Sequence, residues 1–176
     1  MAEYSHLKRN FGPVYDSRSR ILILGSFPSV KSREAAFYYG HPRNRFWPLL
    51  SKLLACEIPT EIEERKALLL EHGIALWDTI EECDIISSDD SSIRNVTPVD
   101  IMEILNSADI REIYCNGNTS YKLFMKYLYP LCGREPVKLP STSPANAAWS
   151  LEKLYEEWKV CLKINSQTLS SQGENA

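Results

Sequence analysis

Short, continuously apolar runs alternate along this chain with segments whose apolar residues recur at helical spacing. Residues 21–25 form one such run, which is typical of a strand covered on both faces. Three similar runs predict further strands at 74–77, 113–115 and 136–139. The helical spacing and its flanking signals predict helices over 44–55, 60–71, 97–106, 118–129 and 147–163.

Local signals define several of these boundaries. Thr60 opens a capping-box pattern with Glu63, and Thr97 followed by Pro98 predicts a cap and a first-turn proline. Asn146 is a candidate cap for the last helix. The polar segment 87–95 is predicted to be a surface loop.

The alternation of strands and helices predicts an α/β fold, a three-layer α/β/α sandwich around a mainly parallel four-stranded sheet. In such sheets ligands bind beyond the carboxyl ends of the strands. The segments 25–29, 116–118 and 140–146 each follow a predicted strand and are rich in glycine, proline and short polar residues. We therefore expect them to form one site.

The length of 176 residues fits a single domain, which we place at 1–164. The polar tail at 165–176 is expected to be disordered. No apolar run reaches the roughly 18 residues that cross a bilayer, and the N-terminus lacks an apolar signal core. We expect a monomer without a membrane partner, located in the cytoplasm and, in a prokaryote, on the nucleoid.

The net charge of −3 hides an uneven distribution. Through Lys52 the chain has nine Lys and Arg against three Asp and Glu, whereas from Leu53 onward it has eleven against twenty. The basic part contains the 25–29 segment and is suited to attracting phosphates. The five cysteines form no CxxC pair and the three histidines are scattered, so neither a metal site nor a cofactor is expected.

Motifs at the predicted sheet edge resemble those of the uracil-DNA glycosylase superfamily over residues 20–160. The first is Gly25-Ser26-Phe27-Pro28-Ser29, and the last loop, residues 139–146, reads Leu-Pro-Ser-Thr-Ser-Pro-Ala-Asn. Between them, residues 41–47 read His-Pro-Arg-Asn-Arg-Phe-Trp, similar to the HPxNRFW segment of the mismatch-specific members. An Asn-Gly pair follows the third strand.

One departure from the mismatch-specific uracil enzymes points to a particular branch. Those enzymes carry a catalytic asparagine just before the proline of the first motif, where this chain has Phe27. The full set of motifs is similar to the hypoxanthine-DNA glycosylase branch. The resemblance implies a DNA repair enzyme that flips a deaminated base out of the stack and hydrolyses its glycosidic bond, with deoxyinosine as substrate and an abasic site as product.

The resemblance places catalysis at Asn44, because this branch uses the asparagine of the HPxNxFW segment. The amide oxygen of Asn44 is expected to accept a hydrogen bond from the attacking water and orient it, since an amide is a poor base. On the sequence alone, a helix cap is the favoured interpretation of this residue.

The resemblance also suggests a base pocket. Tyr39 corresponds to the aromatic residue that stacks on the flipped base, and Asn116 is expected to read the base edge, although an Asn-Gly turn is a strong alternative. Gly25 and Ser26 are expected to bring backbone N–H groups close to the base or water. Phe27 either lines the pocket or is an ordinary turn aromatic.

Six residues are candidates for DNA contacts. Arginines and short hydroxyl or amide side chains suit phosphate binding and close approach to the backbone, with solvated arginines and a helix-capping loop as the alternatives. The candidates are Arg43, Arg45, Ser141, Thr142, Ser143 and Asn146. No lysine stands at a recognisable Schiff-base position, so cleavage of the base without nicking of the strand is expected.

Three other functions stay open at this point. A uracil-DNA glycosylase acting on mismatches keeps the fold and changes the base, and Phe27 argues against it. An α/β hydrolase using Ser26 would need a nucleophile elbow, which Gly-Ser-Phe-Pro does not match. A non-catalytic nucleic-acid-binding module would retain the basic region and tolerate loss of Asn44.

Overall fold

A four-stranded parallel sheet forms the centre of the computed structural model, which describes the backbone of residues 2–173 and the side chains of residues 2–162. The strand order is β3-β2-β6-β7, and the predicted α/β fold is confirmed. The strands are β1 (Ser5–Lys8), β2 (Ile21–Gly25), β3 (Ile74–Asp78), β4 (Ile80–Ile86), β5 (Asp89–Pro98), β6 (Glu112–Asn116) and β7 (Val137–Leu139). The helices are α1 (Val30–Ala35), α2 (Phe46–Leu54), α3 (Ile62–Glu71), α4 (Met102–Leu105), α5 (Asn118–Leu123), α6 (Tyr129–Cys132) and α7 (Leu151–Gly173), with a π-helical turn at Phe124–Leu128 between α5 and α6.

Strand β2 lies at the centre of the core because its five residues, four of them large and aliphatic, are buried. Its first residue, Ile21, pairs with Ile74 of β3 on one side and Glu112 of β6 on the other. Helices α2 and α7 pack together over the core, where the rings of Phe46 and Trp158 meet edge to face at 6.1 Å.

The parallel register brings the ends of all four strands, two of them polar residues, to one edge of the sheet. Gly25 is paired with Asp78 across β2 and β3, and Asn116 ends β6 beside Leu139 of β7. This edge is where the sequence predicts the site.

A second sheet was not predicted. Strands β1, β4 and β5 form an antiparallel three-stranded sheet, so the prediction of a surface loop at 87–95 is wrong. Most of β5 faces solvent, which explains its polar, loop-like sequence. The sheet has its own small apolar core, made of Phe27, Ile80, Cys83 and Ile85.

Three predicted helix starts are also corrected. Pro98 ends β5 instead of opening a helix, and α4 begins at Met102. Helix α7 begins at Leu151, where Ser150 Oγ accepts the Lys153 N–H at 3.2 Å, so Asn146 is not its cap. The capping box of α3 is centred one residue later than predicted, on Glu61 and Glu64.

Some predictions concern parts that the structure does not test. The backbone of α7 continues to Gly173, ten residues beyond the predicted helix end at 163. The disorder predicted for 165–176 is not tested further, because the side chains of these residues and the backbone of 174–176 lie outside the described residues. Within the described residues, no helix has the length and apolar character needed to cross a membrane. In the same part of the chain, no group of three His, Cys, Asp or Glu residues is placed to hold a metal ion.

Candidate active site

A cavity of about 640 Å³ opens at the carboxyl ends of β2, β3 and β6. The segment after β2, the turn before α2, the tip between β4 and β5, and the loop after β7 line it. Among the predicted site residues it collects Gly25, Ser26, Phe27, Tyr39, Asn44, Asn116, Ser141, Thr142 and Ser143. Four segments distant in sequence therefore meet in one space.

Gly25 is needed for the close approach of two polar side chains. A Cβ at this position would overlap the Asp78 carboxylate and would lie 3.3 Å from the Tyr39 hydroxyl. Phe27 lines the cavity and is also a member of the second apolar core, with only 7% of its surface exposed. Phe27 therefore lines the pocket and also packs as an ordinary aromatic residue of the turn.

Tyr39 forms part of the cavity wall. Its ring stacks on Phe46 with a centroid distance of 4.2 Å and an interplanar angle of 26°. Its backbone is in the left-handed region at φ 54°, which costs energy for a non-glycine residue and indicates a conformation imposed by its surroundings. Its buried hydroxyl makes no hydrogen bond of normal geometry among the described residues, although the Asn116 side chain lies close enough to oppose the rise in the pKa of the phenol. Burial, aided by the Asp78 charge, raises the pKa of this phenol, so the hydroxyl stays protonated.

Asn44 and Asn116 are joined through Thr142. The Thr142 hydroxyl donates to Asn44 Oδ1 at 2.8 Å and accepts from Asn116 Nδ2 at 3.0 Å. The Thr142 backbone N–H donates to Asn116 Oδ1 at 3.0 Å. Asn44 Oδ1 also accepts the Phe46 backbone N–H at 3.0 Å. The predicted catalytic residue and the predicted base reader therefore belong to one hydrogen-bond network.

This network changes the chemistry available to Asn44. An amide oxygen has two lone pairs, and Phe46 and Thr142 use both. The expectation that Asn44 Oδ1 accepts a hydrogen bond from water therefore does not fit the structure. The Nδ2 group has no hydrogen-bond acceptor among the described residues, so Asn44 offers the cavity a donor. The N-cap position of α2 is Arg45, so Asn44 is not the helix cap, although it accepts the N–H of Phe46, the first residue of α2.

Arg45 holds the loop after β7 through main-chain contacts. Its guanidinium donates to the carbonyl oxygens of Ser143 at 2.8 Å and Asn146 at 3.0 Å, and to that of Trp149. These bonds occupy the donors expected to bind phosphate, and they keep residues 143–149 out of the helix predicted to start at 147. The prediction that Arg45 contacts DNA is not supported by this geometry.

The other predicted DNA contacts differ in accessibility. Thr142 has 0% of its surface exposed, which excludes a direct phosphate contact. Asn146 donates to the Ser141 carbonyl oxygen at 2.9 Å and so stabilises the same loop. Ser141 and Ser143 are half-buried at the cavity wall, and Arg43 is exposed beside it.

Sequence reasoning missed a buried ion pair at the cavity floor. Arg9 Nη1 lies 2.9 Å from Asp78 Oδ2, and the two side chains are 2% and 6% exposed. Arg9 also donates to the Phe11 carbonyl oxygen and the Tyr38 hydroxyl. Burial raises the pKa of Asp78, and the Arg9 charge opposes that shift. The signal for Asp78 was its place directly after an apolar strand, as for Asn116.

Asp90 is a second missed carboxylate, at the tip between β4 and β5. Ser26 Oγ donates to Asp90 Oδ2 at 3.0 Å. Asp90 is an exposed residue, but desolvation of its carboxyl group, together with the charges of Asp78 and Asp89, raises the pKa of that group to about 6, while the Ser26 bond opposes the shift. The sequence did not identify Asp90 as a site residue, because its segment has the composition of a surface loop.

Comparisons with known proteins agree with this architecture. The family model of the uracil DNA glycosylase superfamily matches residues 13–163. The chain is 31% identical to the hypoxanthine DNA glycosylase of Methanosarcina acetivorans over 161 residues, covering 89% of this chain and 99% of that protein. It is 29% identical to the protein of the same name from Methanosarcina barkeri, covering 89% and 98%.

A solved structure is similar as well. A solution NMR structure of a Methanosarcina acetivorans protein, assigned provisionally as a uracil DNA glycosylase, superposes with a TM-score of 0.77 at 30% identity. The match covers 90% of this chain and 98% of that one.

Proposed function

The chain belongs to the uracil DNA glycosylase superfamily, and we propose that it hydrolyses the glycosidic bond of deoxyinosine in DNA, releasing hypoxanthine and leaving an abasic site. The observation that carries this proposal is the single cavity in which Thr142 joins Asn44 to Asn116. The names of the two Methanosarcina relatives support hypoxanthine as the base.

The cavity suits a flipped purine. Tyr39 is backed by Phe46 and offers its other face as a stacking surface, which contributes about 1–3 kcal/mol per base in comparable sites. Asn116 uses one N–H and one lone pair on Thr142, which leaves a second N–H and a second lone pair. Thr142 occupies the edge of the carboxamide where an acceptor and a donor lie side by side, so the remaining lone pair and N–H point apart and only one of them can reach a given base. The remaining N–H can donate to the O6 acceptor of hypoxanthine.

In the reaction, the bond between C1′ and the base nitrogen breaks and its electron pair goes to the base. The oxygen of water bonds to C1′, and a proton of that water ends on the released base. Negative charge therefore develops on the base while positive charge develops on the sugar. Hydrogen-bond donors near the base stabilise the developing negative charge, and carboxylates near the sugar stabilise the developing positive charge.

We propose that Asn44 Nδ2 donates a hydrogen bond to the base, where the negative charge develops. It is the end of this carboxamide without an acceptor among the described residues, and Phe46 and Thr142 hold the other end. We assign Asp90, whose carboxyl has a pKa of about 6, to the sugar and the water. At neutral pH it is largely ionised and can accept one proton from the attacking water and pass it through solvent to the released base, while the water oxygen keeps its other proton as the new C1′ hydroxyl.

The proposed enzyme is monofunctional. Lys31 lies on the cavity wall, but its Nζ pairs with Glu34 at 3.4 Å on the exposed side of α1. We expect no imine between this lysine and the sugar, and therefore no strand nicking. Borohydride-trapped protein–DNA adducts would contradict this part of the proposal, and Lys31→Ala would show whether that residue forms them.

The test uses oligonucleotides that carry inosine, uracil, xanthine or ethenoadenine, followed by alkali to convert abasic sites into breaks. Breaks at inosine that disappear in Asn44→Ala and persist in the exposed control Asn106→Ala support the proposal. Breaks mainly at uracil would assign the chain to the mismatch uracil enzymes instead. DNA binding without any breaks would indicate a non-catalytic module.

A further inference from the structure

Thr142 is completely buried, and its hydroxyl and backbone N–H contact the two asparagines of the cavity wall, whereas its carbonyl oxygen accepts the Arg45 backbone N–H at 3.0 Å. We propose that Thr142 is a positioning residue that fixes the orientation of both carboxamides, so that Asn44 presents its N–H groups to the base and Asn116 cannot rotate to match adenine. This inference rests on the proposed function.

The direction of each hydrogen bond follows from two backbone N–H groups that can only donate. Phe46 N–H requires an acceptor and so fixes Oδ1 of Asn44 beside it. Thr142 N–H does the same for Oδ1 of Asn116. Asn44 Oδ1 then needs the Thr142 proton, which leaves the Thr142 oxygen to accept from Asn116 Nδ2. Every donor in this chain of contacts meets an acceptor.

Rotation of either carboxamide would disrupt this matching of donors with acceptors. A flip exchanges the nitrogen and oxygen of the amide, so a buried backbone N–H would face an NH2 group. For Asn44, the flip would also turn an NH2 group towards the Thr142 hydroxyl and an oxygen towards the cavity. The hydroxyl thus adds a second restraint to the single backbone bond that holds each asparagine.

A fixed amide can discriminate between the two purines. Hypoxanthine has an acceptor at O6 and a donor at N1, whereas adenine has a donor at its amino group and an acceptor at N1. An asparagine that rotates freely matches either pattern. Once stacking on Tyr39 sets the position of the base, a carboxamide held by Thr142 matches only one of them.

The experiment compares Thr142→Val, which keeps the shape and loses the hydroxyl, with Thr142→Ser, which keeps the hydroxyl. Thr60→Val, on the exposed segment before α3, is the matched control. We measure single-turnover excision of hypoxanthine, affinity for a non-cleavable duplex, and inhibition by free hypoxanthine and free adenine. The melting temperature of each variant shows that it is folded.

Thr142→Val is expected to slow excision about tenfold or more with DNA affinity within about twofold of wild type. Its inhibition by hypoxanthine should weaken relative to that by adenine, and Thr142→Ser should restore both properties. If Thr142→Val does not fold, Thr142→Cys, a weak donor of similar size, takes its place and should behave in the same direction.

Two results would overturn the inference. One is excision by a folded Thr142→Val that stays within threefold of wild type with an unchanged ratio of inhibition constants. The other is a folded Thr142→Ser as impaired as Thr142→Val. Absence of inosine cleavage by the wild-type protein would instead refute the proposed function, so the two failures are distinguishable.

Discussion

Replacing Asn44 by aspartate separates the two ways in which this residue can act. The carboxylate of Asn44→Asp retains an oxygen for Phe46 N–H and for the Thr142 hydroxyl, so the network at 3.0 and 2.8 Å is kept. What changes is the end that faces the cavity, where an N–H donor becomes a negatively charged acceptor. The variant should therefore keep its melting temperature and lose activity.

The size of the loss follows from the donor's role. Removing one preorganised donor from a developing negative charge costs about 2.7–4 kcal/mol, or 10²–10³ in rate. Repulsion between the new carboxylate and the departing base adds to that loss. We expect single-turnover excision of hypoxanthine at neutral pH to fall at least about 10²-fold.

The pH dependence gives an independent signature. Asp78 and Asp90 line the same cavity, so their charges should raise the pKa of a carboxyl at position 44. In its protonated form that carboxyl can donate, and part of the activity should return as the pH falls. Wild type should lose activity over the same range, because Asp90 becomes protonated below its pKa of about 6.

The assay is single-turnover cleavage of an inosine duplex at several pH values, with Asn106→Asp as an exposed control. Retained or faster excision by Asn44→Asp at neutral pH would refute the donor assignment. It would show instead that position 44 accepts a hydrogen bond from the attacking water.

Three further predictions concern the surroundings of the cavity. Arg9→Met leaves the Asp78 carboxylate buried without its partner, so the free energy of unfolding in urea should fall by about 3–5 kcal/mol, and adding Asp78→Asn should recover part of it. Asp90 has a folded pKa of about 6, above its ordinary 3.8, so the folded state holds this proton more tightly and wild type loses stability as the pH rises between these values. The melting temperature of Asp90→Asn relative to wild type should rise over that window and level off above it; a constant difference would contradict the shift. Arg45→Lys keeps the charge but loses the contacts to three carbonyl groups, so excision and melting temperature should fall while the salt dependence of DNA binding is unchanged; a change in that dependence would restore Arg45 as a phosphate contact.

Periodicity and turn chemistry were sufficient to predict the central architecture. The apolar run at 21–25 has no polar position that could face water, so it had to be an interior strand. Parallel strands place their carboxyl ends at one edge, which is why Gly25 and Asn116 could be assigned to one site. The solvent-facing strand β5 escaped prediction because exposed strand positions carry the same polar residues as loops.

By itself, the sequence determined the central parallel sheet, the family and most of the polar residues at the cavity, but not the carboxylates Asp78 and Asp90. Only the tertiary structure decided which end of each amide is available, because Thr142 reaches Asn44 across 98 positions and Asn116 across 26. The Arg9–Asp78 pair, 69 positions apart, was set in the same way. A side chain's position in the sequence identifies its chemical groups, whereas the donors and acceptors that surround it in the folded chain determine which of those groups is left to act.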